Sequence, residues 1–434
     1  MKNKLLKAAV VACAAAMMIP TGITGCANTK QEVEDSTKDK DKDKDKDKDK
    51  DDTKKSAKKK SAEALENGRN ALFGLNGEKI DYEKAFQIFT EIEPVVHEDY
   101  LAEINYYIGH MYDMGWGVEE DNLTAHTYLY KAYIWGCAKA GYALGNMYYL
   151  GEGMSKDIDE AKKYFTNAVE FGCIEANEGL ADLAYDEGDY EKEYNLLKEA
   201  IEKGTEPDLI AMNKLHLAEM YEDGDYLDKD DAEAIALMKE AADLGYIPAY
   251  YELGMKFKGL FDIYTAADYL KIAADYGYTD AMYEYAYLYY TVQPWDKSVA
   301  IEYFQKAAEK NHLDSIYYAG IMNHYGENYG LTPDIEIAKE YYKKASDMGY
   351  ALATNKLGLI CDANGDYYSA YDYYVKALKQ DPNHNGIKYN VALMIWNGYG
   401  SGNLDYAKSL VESAASEGHE LSKTLLDIMK SYGL

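Results

Sequence analysis

The feature that most restricts what this chain can fold into is an internal repeat. Residues 138–173 read AKAGYALGNMYYLGEGMSKDIDEAKKYFTNAVEFGC, and the 36 residues before them, AEINYYIGHMYDMGWGVEEDNLTAHTYLYKAYIWGC, align without a gap. Gly109 falls on Gly145, Gly115 on Gly151, Gly117 on Gly153 and Ala132 on Ala168. A small residue then recurs as Gly109, Gly145, Ala181, Ala218, Gly254, Ala286, Gly320, Gly358 and Ala392, at steps of 36, 36, 37, 36, 32, 34, 38 and 34. A second series runs Ala132, Ala168, Ala200, Ala241, Ala273, Ala307, Ala345, Ala377 and Ala414. A period in this range means one supersecondary unit stacked on copies of itself.

Each unit reads as two helices and a short loop. In the unit at 138–173, Ala161, Phe165, Ala168 and Val169 lie at i, i+4, i+7 and i+8, which is one apolar face at helical period. Two helices cannot bury such faces alone, so units must stack, and small residues at fixed positions let neighbouring helices approach closely. The expected fold is all-α, an α-solenoid of about ten helix pairs forming a superhelix.

The pattern resembles the Sel1-like repeat, a relative of the tetratricopeptide repeat. The residues that carry the resemblance are the Leu-Gly-x-Met-Tyr-x-x-Gly-x-Gly run at 144–153, then Ala161, Tyr164, Ala168 and the closing Gly172. It is clearest over 100–173, with further matches near 247–278, 313–350 and 386–419. The unit at 174–204 has only Glu187-Gly188-Asp189 at its turn and looks like a plain tetratricopeptide unit. The unit at 279–312 replaces the Gly loop with Val292-Gln293-Pro294-Trp295, and a degenerate first unit is expected over 61–97. The resemblance implies an interaction scaffold or adaptor, not an enzyme.

The N-terminus is written differently. Lys2, Lys4 and Lys7 precede an apolar stretch from Ala8 to Ile19, too short to span a bilayer but suited to a signal peptide. Ile23-Thr24-Gly25-Cys26 follows and resembles the bacterial lipobox. That resemblance implies cleavage before Cys26 and lipidation of Cys26, and so a protein anchored by acyl chains to the outer face of a bacterial membrane. Residues 27–60 hold no aromatic and include an Asp-Lys alternation from Asp39 to Lys50. Such a segment has nothing to bury and is expected to be a disordered tether. The expected organisation is signal peptide 1–25, lipidated Cys and linker 26–60, repeat solenoid 61–419 and capping helix 420–434.

Charge narrows the partners. The chain holds 46 Lys+Arg against 76 Asp+Glu, net −30, and residues 1–60 contribute +5 of this, leaving −35 on the repeats. Nucleic acid is excluded, because phosphates require Lys and Arg. The eight His show no metal-ligand spacing, and Ser56-Ala57-Lys58-Lys59 matches a nucleophile motif only by composition, so neither a metal, a cofactor nor a catalytic site is expected. The Gly pairs sit at helix–helix turns and lack the Gly-Lys-Ser/Thr of phosphate loops. Cys137, Cys173 and Cys361 read as buried small residues.

The positive surface signal is tyrosine, 46 in all. Three residues before the first-helix anchor stand Tyr106, Tyr142, Tyr251, Tyr283, Tyr317 and Tyr389, and four after it stand Tyr149, Tyr290 and Trp396. In the tetratricopeptide fold these positions line the concave groove. The resemblance therefore implies an aromatic ladder for a protein or peptide, basic because the surface is acidic, or for a cell-wall glycan or polysaccharide. The competing reading is that these rings only pack against the next unit.

Overall fold

The structure, a computed structural model, describes residues 46–434 except Asp225, Gln293 and Leu434, with side chains from Lys54 onward. The expected signal peptide and Cys26 lie outside the described residues. The described residues form 21 α-helices and no strand. The chain divides into two units, the first ending at Ala249 and the second beginning at Tyr250.

The first unit pairs α1 (Lys46–Phe73) with α2 (Tyr82–Ile92), α3 (Leu101–Met114) with α4 (Asn122–Ile134), and α5 (Ala138–Leu150) with α6 (Ile158–Glu170). It continues with α7 (Asn177–Glu187) on α8 (Tyr190–Lys203) and α9 (Pro207–Asp223) on α10 (Asp231–Asp243). The second unit begins within α11 (Ile247–Gly259) and holds α12 (Ile263–Asp275), α13 (Thr279–Thr291), α14 (Lys297–Glu309), α15 (Leu313–His324) and α16 (Ile335–Asp347). It ends with α17 (Ala351–Ala363), α18 (Tyr367–Gln380), α19 (Asn385–Trp396), α20 (Leu404–Ser416) and a closing α21 (Glu420–Ser431). Each unit is a solenoid of helix pairs, and α21 buries Leu425 and Met429 in the last core cluster.

The sequence sets these helices locally. Every second helix starts at a residue whose side chain accepts a backbone N–H of the first turn. These caps are Asp81, Asp121, Asp157, Asp189 and Asp230 in the first unit. In the second they are Asp262, Asp296, Asp334, Asp366 and Asn403. Each satisfies a donor that the helix start would otherwise leave open. The closing glycines Gly136, Gly172, Gly245, Gly277, Gly349 and Gly418 all have φ between 86° and 92°, where a Cβ is disfavoured.

The small anchors work by contact. A Cβ on Gly145 would lie 2.4 Å from the Phe165 ring, and one on Gly358 2.5 Å from the Tyr374 ring. Gly109, Gly254 and Gly320 meet Leu129, Leu270 and Tyr342 in the same way. The partner stands three residues before the second-helix alanine each time, and all five partners are fully buried. Gly68 does the same to Phe89, at 2.3 Å, which identifies the anchor of the first pair.

The linker differs from expectation. The reading of 26–60 as coil is corrected from Lys46, where α1 begins. Alternating Asp and Lys place opposite charges at i,i+3, and the run after Lys54 is rich in Lys, Ala, Glu and Leu, all good helix formers. Packing then fixes the helix. Leu65 and Leu72 are buried, Lys58 pairs with Asp99 at 2.7 Å, and the His97 N–H donates to Ser61 Oγ at 2.9 Å. Among the described residues no helix is long and apolar enough to cross a membrane.

Candidate binding surface

Residues three before, one after and four after each first-helix anchor share a face, because seven residues span about two helical turns. In the first unit this face carries Tyr106, His110 and Asp113 on α3, and Tyr142, Asn146 and Tyr149 on α5. It continues with Glu178, Asp182 and Tyr185 on α7, and Leu215, Glu219 and Glu222 on α9. In the second unit α11 presents Tyr251, Met255 and Lys258, and α13 presents Tyr283, Tyr287 and Tyr290. There follow Tyr317, Ile321 and His324 on α15, Asn355, Leu359 and Asp362 on α17, and Tyr389, Leu393 and Trp396 on α19.

In the first unit the tyrosines are not open rings. Tyr106 and Tyr142 are 3% and 1% exposed, which corrects their reading as solvent-facing ladder rungs. Tyr106 packs edge-on to His110 at 4.7 Å. Tyr142 donates its hydroxyl to the Glu178 carboxylate one repeat further on. Tyr149 is half-buried, donates to Asp186 at 2.9 Å and lies under the Lys156 ammonium. Burial and the neighbouring Asp182 and Asp186 hold the Tyr149 hydroxyl protonated as a donor.

In the second unit every named aromatic is half-buried. The position three before the anchor has a repeated partner, the ring of the residue at the N-cap position of the next first helix. Tyr251 meets Tyr278 at 5.1 Å, Tyr283 meets His312 at 4.8 Å, Tyr317 meets Tyr350 at 5.1 Å and Tyr389 meets His419 at 5.7 Å. These rings join one repeat to the next, and only part of each is left for a ligand. Tyr290 shares a hydroxyl contact of 3.0 Å with Tyr329 and packs on Tyr318. Trp396 stands edge-on to Tyr432 at 5.8 Å.

Carboxylates of the same face escaped the sequence reading, which followed only aromatics. Asp113, Glu178 and Glu222 occupy the positions of the named tyrosines, so the anchor count that located the rings also locates them, whereas Asp182 and Glu219 stand one residue after their anchors. Burial raises the Glu178 carboxyl against the opposing hydrogen bond from Tyr142. Asp113 is pushed up to about 7, by burial first and then by Glu152 and Glu120. Lys139, on α5, pairs with Glu206 at 3.6 Å, both nearly buried. Burial raises Glu206 as well, against the pull of Lys139.

The cysteines divide. Cys173 is buried and free, and Cys361 is half-buried and free. Cys137 is fully buried. Among the described residues no group of three metal-ligating side chains stands together.

The Sel1 repeat family model matches residues 68–91, 102–133, 138–170, 215–246, 279–312, 313–350 and 388–419. The unit at 279–312 is therefore a Sel1 repeat despite its altered turn, whereas the expected match near 247–278 is not among these segments. The crystal structure of c5321, a protective antigen of uropathogenic Escherichia coli with an SLR fold, is 24% identical. It aligns over 88% of this chain and 83% of its own, with a TM-score of 0.55, and shows the fold alone. A Sel1 repeat protein from Oxalobacter formigenes is 21% identical over 76% of this chain and 98% of its own, with a TM-score of 0.48. No curated protein matches. With seven matched segments that together span more than half of its length, the chain belongs to the Sel1 repeat family.

Proposed function

We propose that this protein is a lipid-anchored scaffold on the outer face of a bacterial membrane, and that its first-helix face holds an extended, basic segment of a partner protein. Sel1-repeat folds are in general non-catalytic interaction scaffolds that bind protein partners. The observation that carries the finer reading is the run Asp113, Glu178, Asp182, Glu219 and Glu222 on α3, α7 and α9, with no lysine or arginine at the same three positions of α3, α5, α7 and α9. Carboxylates collected on one face attract a cationic chain and disfavour an acidic one.

The test uses the full chain with basic, neutral and acidic peptides of equal length. Basic peptides should bind, and binding should weaken as salt rises from roughly 50 to 500 mM, because exposed charges are screened at that strength. Equal binding of all three peptides would remove the charge reading, and co-sedimentation with purified wall glycan alone would replace it. The anchor is tested by fractionation. Cys26→Ala should move the protein from the membrane pellet to the soluble fraction, and retention in the pellet would remove the lipid-anchor reading.

A further inference from the structure

The first-helix face begins on α1. Leu65, Arg69 and Leu72 stand three before, one after and four after the Gly68 anchor, the positions that Tyr106, His110 and Asp113 take on α3. Over α1, α3, α5, α7 and α9 these positions hold one lysine or arginine, and it is Arg69. Arg69 lines a cavity of about 360 Å³, within the size range of small-ligand sites. Ala62, Leu65 and Leu75 give the cavity an apolar lining, and Arg69, Asn70 and Tyr100 give it donors. These donors are not spent inside the protein. The Arg69 side chain is 24% exposed, and its one charged partner among the described residues, Glu103, stands at 3.6 Å, beyond hydrogen-bond reach. Burial raises the Glu103 carboxyl in spite of the pull of Arg69, so the pair is loosely made. Asn70 accepts from Asn76 Nδ2 at 3.1 Å through its Oδ1, which leaves its own Nδ2 to donate. The Tyr100 hydroxyl donates to no group among the described residues.

We propose that this cavity binds a carboxylate carried on a short apolar body. A guanidinium is a planar fork that meets both oxygens of a carboxylate in parallel hydrogen bonds, and Asn70 and Tyr100 offer donors to the remaining lone pairs. The apolar carbons of the ligand are covered by Ala62, Leu65 and Leu75. One cation with Glu66 on the cavity wall and Glu103 beside it suits a monoanion and disfavours a dianion such as phosphate. The same chemistry has two sources. A basic segment lying on the acidic face carries such a group at its end, the carboxylate of its last residue, and a free small acid carries it alone. The cavity reading stands apart from the acidic-face reading, and the test separates them.

Calorimetric titration of the full chain at about pH 7.5 compares N-acetyl-leucine with N-acetyl-leucinamide, and a basic octapeptide ending in a free leucine carboxylate with the same peptide amidated. Each free acid should bind about tenfold more tightly than its amide, the worth of hydrogen bonds to a charged group. N-acetylglycine, which lacks the apolar body, should bind about fivefold more weakly than N-acetyl-leucine. Arg69→Gln should erase the difference between acid and amide. Arg69→Lys keeps the charge beside Glu103 but loses the fork, and should cut the difference to about threefold. Tyr100→Phe keeps the ring and should halve the difference. If the free acids fail to bind, bind no better than the amides, or keep their advantage in Arg69→Gln, the carboxylate site is overturned. Inorganic phosphate binding as tightly as N-acetyl-leucine would overturn it as well. If both peptides bind alike, the acidic-face reading survives that loss. If N-acetyl-leucine shows the preference and neither peptide binds, the site stands with a free acid as its ligand and the acidic-face reading falls.

Discussion

On α7 the first-helix face reads Glu178, Asp182 and Tyr185, and on α13 the same positions read Tyr283, Tyr287 and Tyr290. Beneath them the architecture does not change. Ala181 and Ala286 are both buried anchors, and Leu197 and Phe304 fill the equivalent second-helix positions with no exposure. The core positions are held by steric fit, so they tolerate little variation. The first-helix face is less constrained by that fit and varies in chemistry from repeat to repeat. The first unit spends the freedom on carboxylates and amides, and the second on rings that bond repeat to repeat. Only the first unit carries a run of carboxylates at these positions.

The largest expected effect tests whether the two units melt separately. Gly145→Val puts a branched side chain into Phe165, and Gly358→Val does the same to Tyr374. Each should cost about 3 kcal/mol or more, from overpacking and the loss of helix approach. In calorimetry each should lower one transition and leave the other in place. A single transition that moves in both variants would show one cooperative body.

Next comes the electrostatic contrast. Asp113 has a folded-state pKa of about 7, raised by burial from 3.8. A carboxyl raised in this way favours the folded state fully only below the unfolded value, and that contribution is lost as pH rises from about 4 to 7. Asp113→Asn removes the cost of burying the charge. The first unit of the variant should be more stable than wild type at pH 8, by on the order of 1–3 kcal/mol, with no gain at pH 4. Denaturant melts at the two pH values check this, and an equal gain at both would break the assignment.

Smaller effects belong to the second unit and to the caps. Tyr290→Phe removes the hydroxyl contact with Tyr329 and should cost about 1 kcal/mol in that unit, without changing capture of a basic peptide. A loss of capture would move the binding face into the second unit. Asp157→Ala and Asp366→Ala remove equivalent caps and should each cost about 1 kcal/mol in their own unit. Unequal costs would show that the two units depend differently on local helix signals.

Much of this was legible before any coordinates. The anchors Gly109, Gly145 and Gly358, the closing glycines and the aspartate caps are local demands of helix packing and termination, so they repeat visibly in the chain. The first pair was harder, because Gly68 stands 41 residues before Gly109 and breaks the period. The ring contacts of the ladder were invisible. Whether Tyr283 is open or pressed on His312 depends on a residue 29 positions away in another repeat. The helical start at Lys46 was likewise hidden, since its stability comes from contacts with α2 and with Asp99.

The sequence by itself determined the helix pairs, their stacking order and the family, because period, caps and small anchors are short-range requirements of the backbone. Only the tertiary structure decided which side chains of the first-helix face are spent on joining repeats. It also showed that His110 lies buried against the Tyr106 ring with no hydrogen-bond partner, although both names were in plain view. The reason is physical. Helical spacing says which residues share a face, but burial and the field of neighbouring repeats decide whether that face is packing or charge.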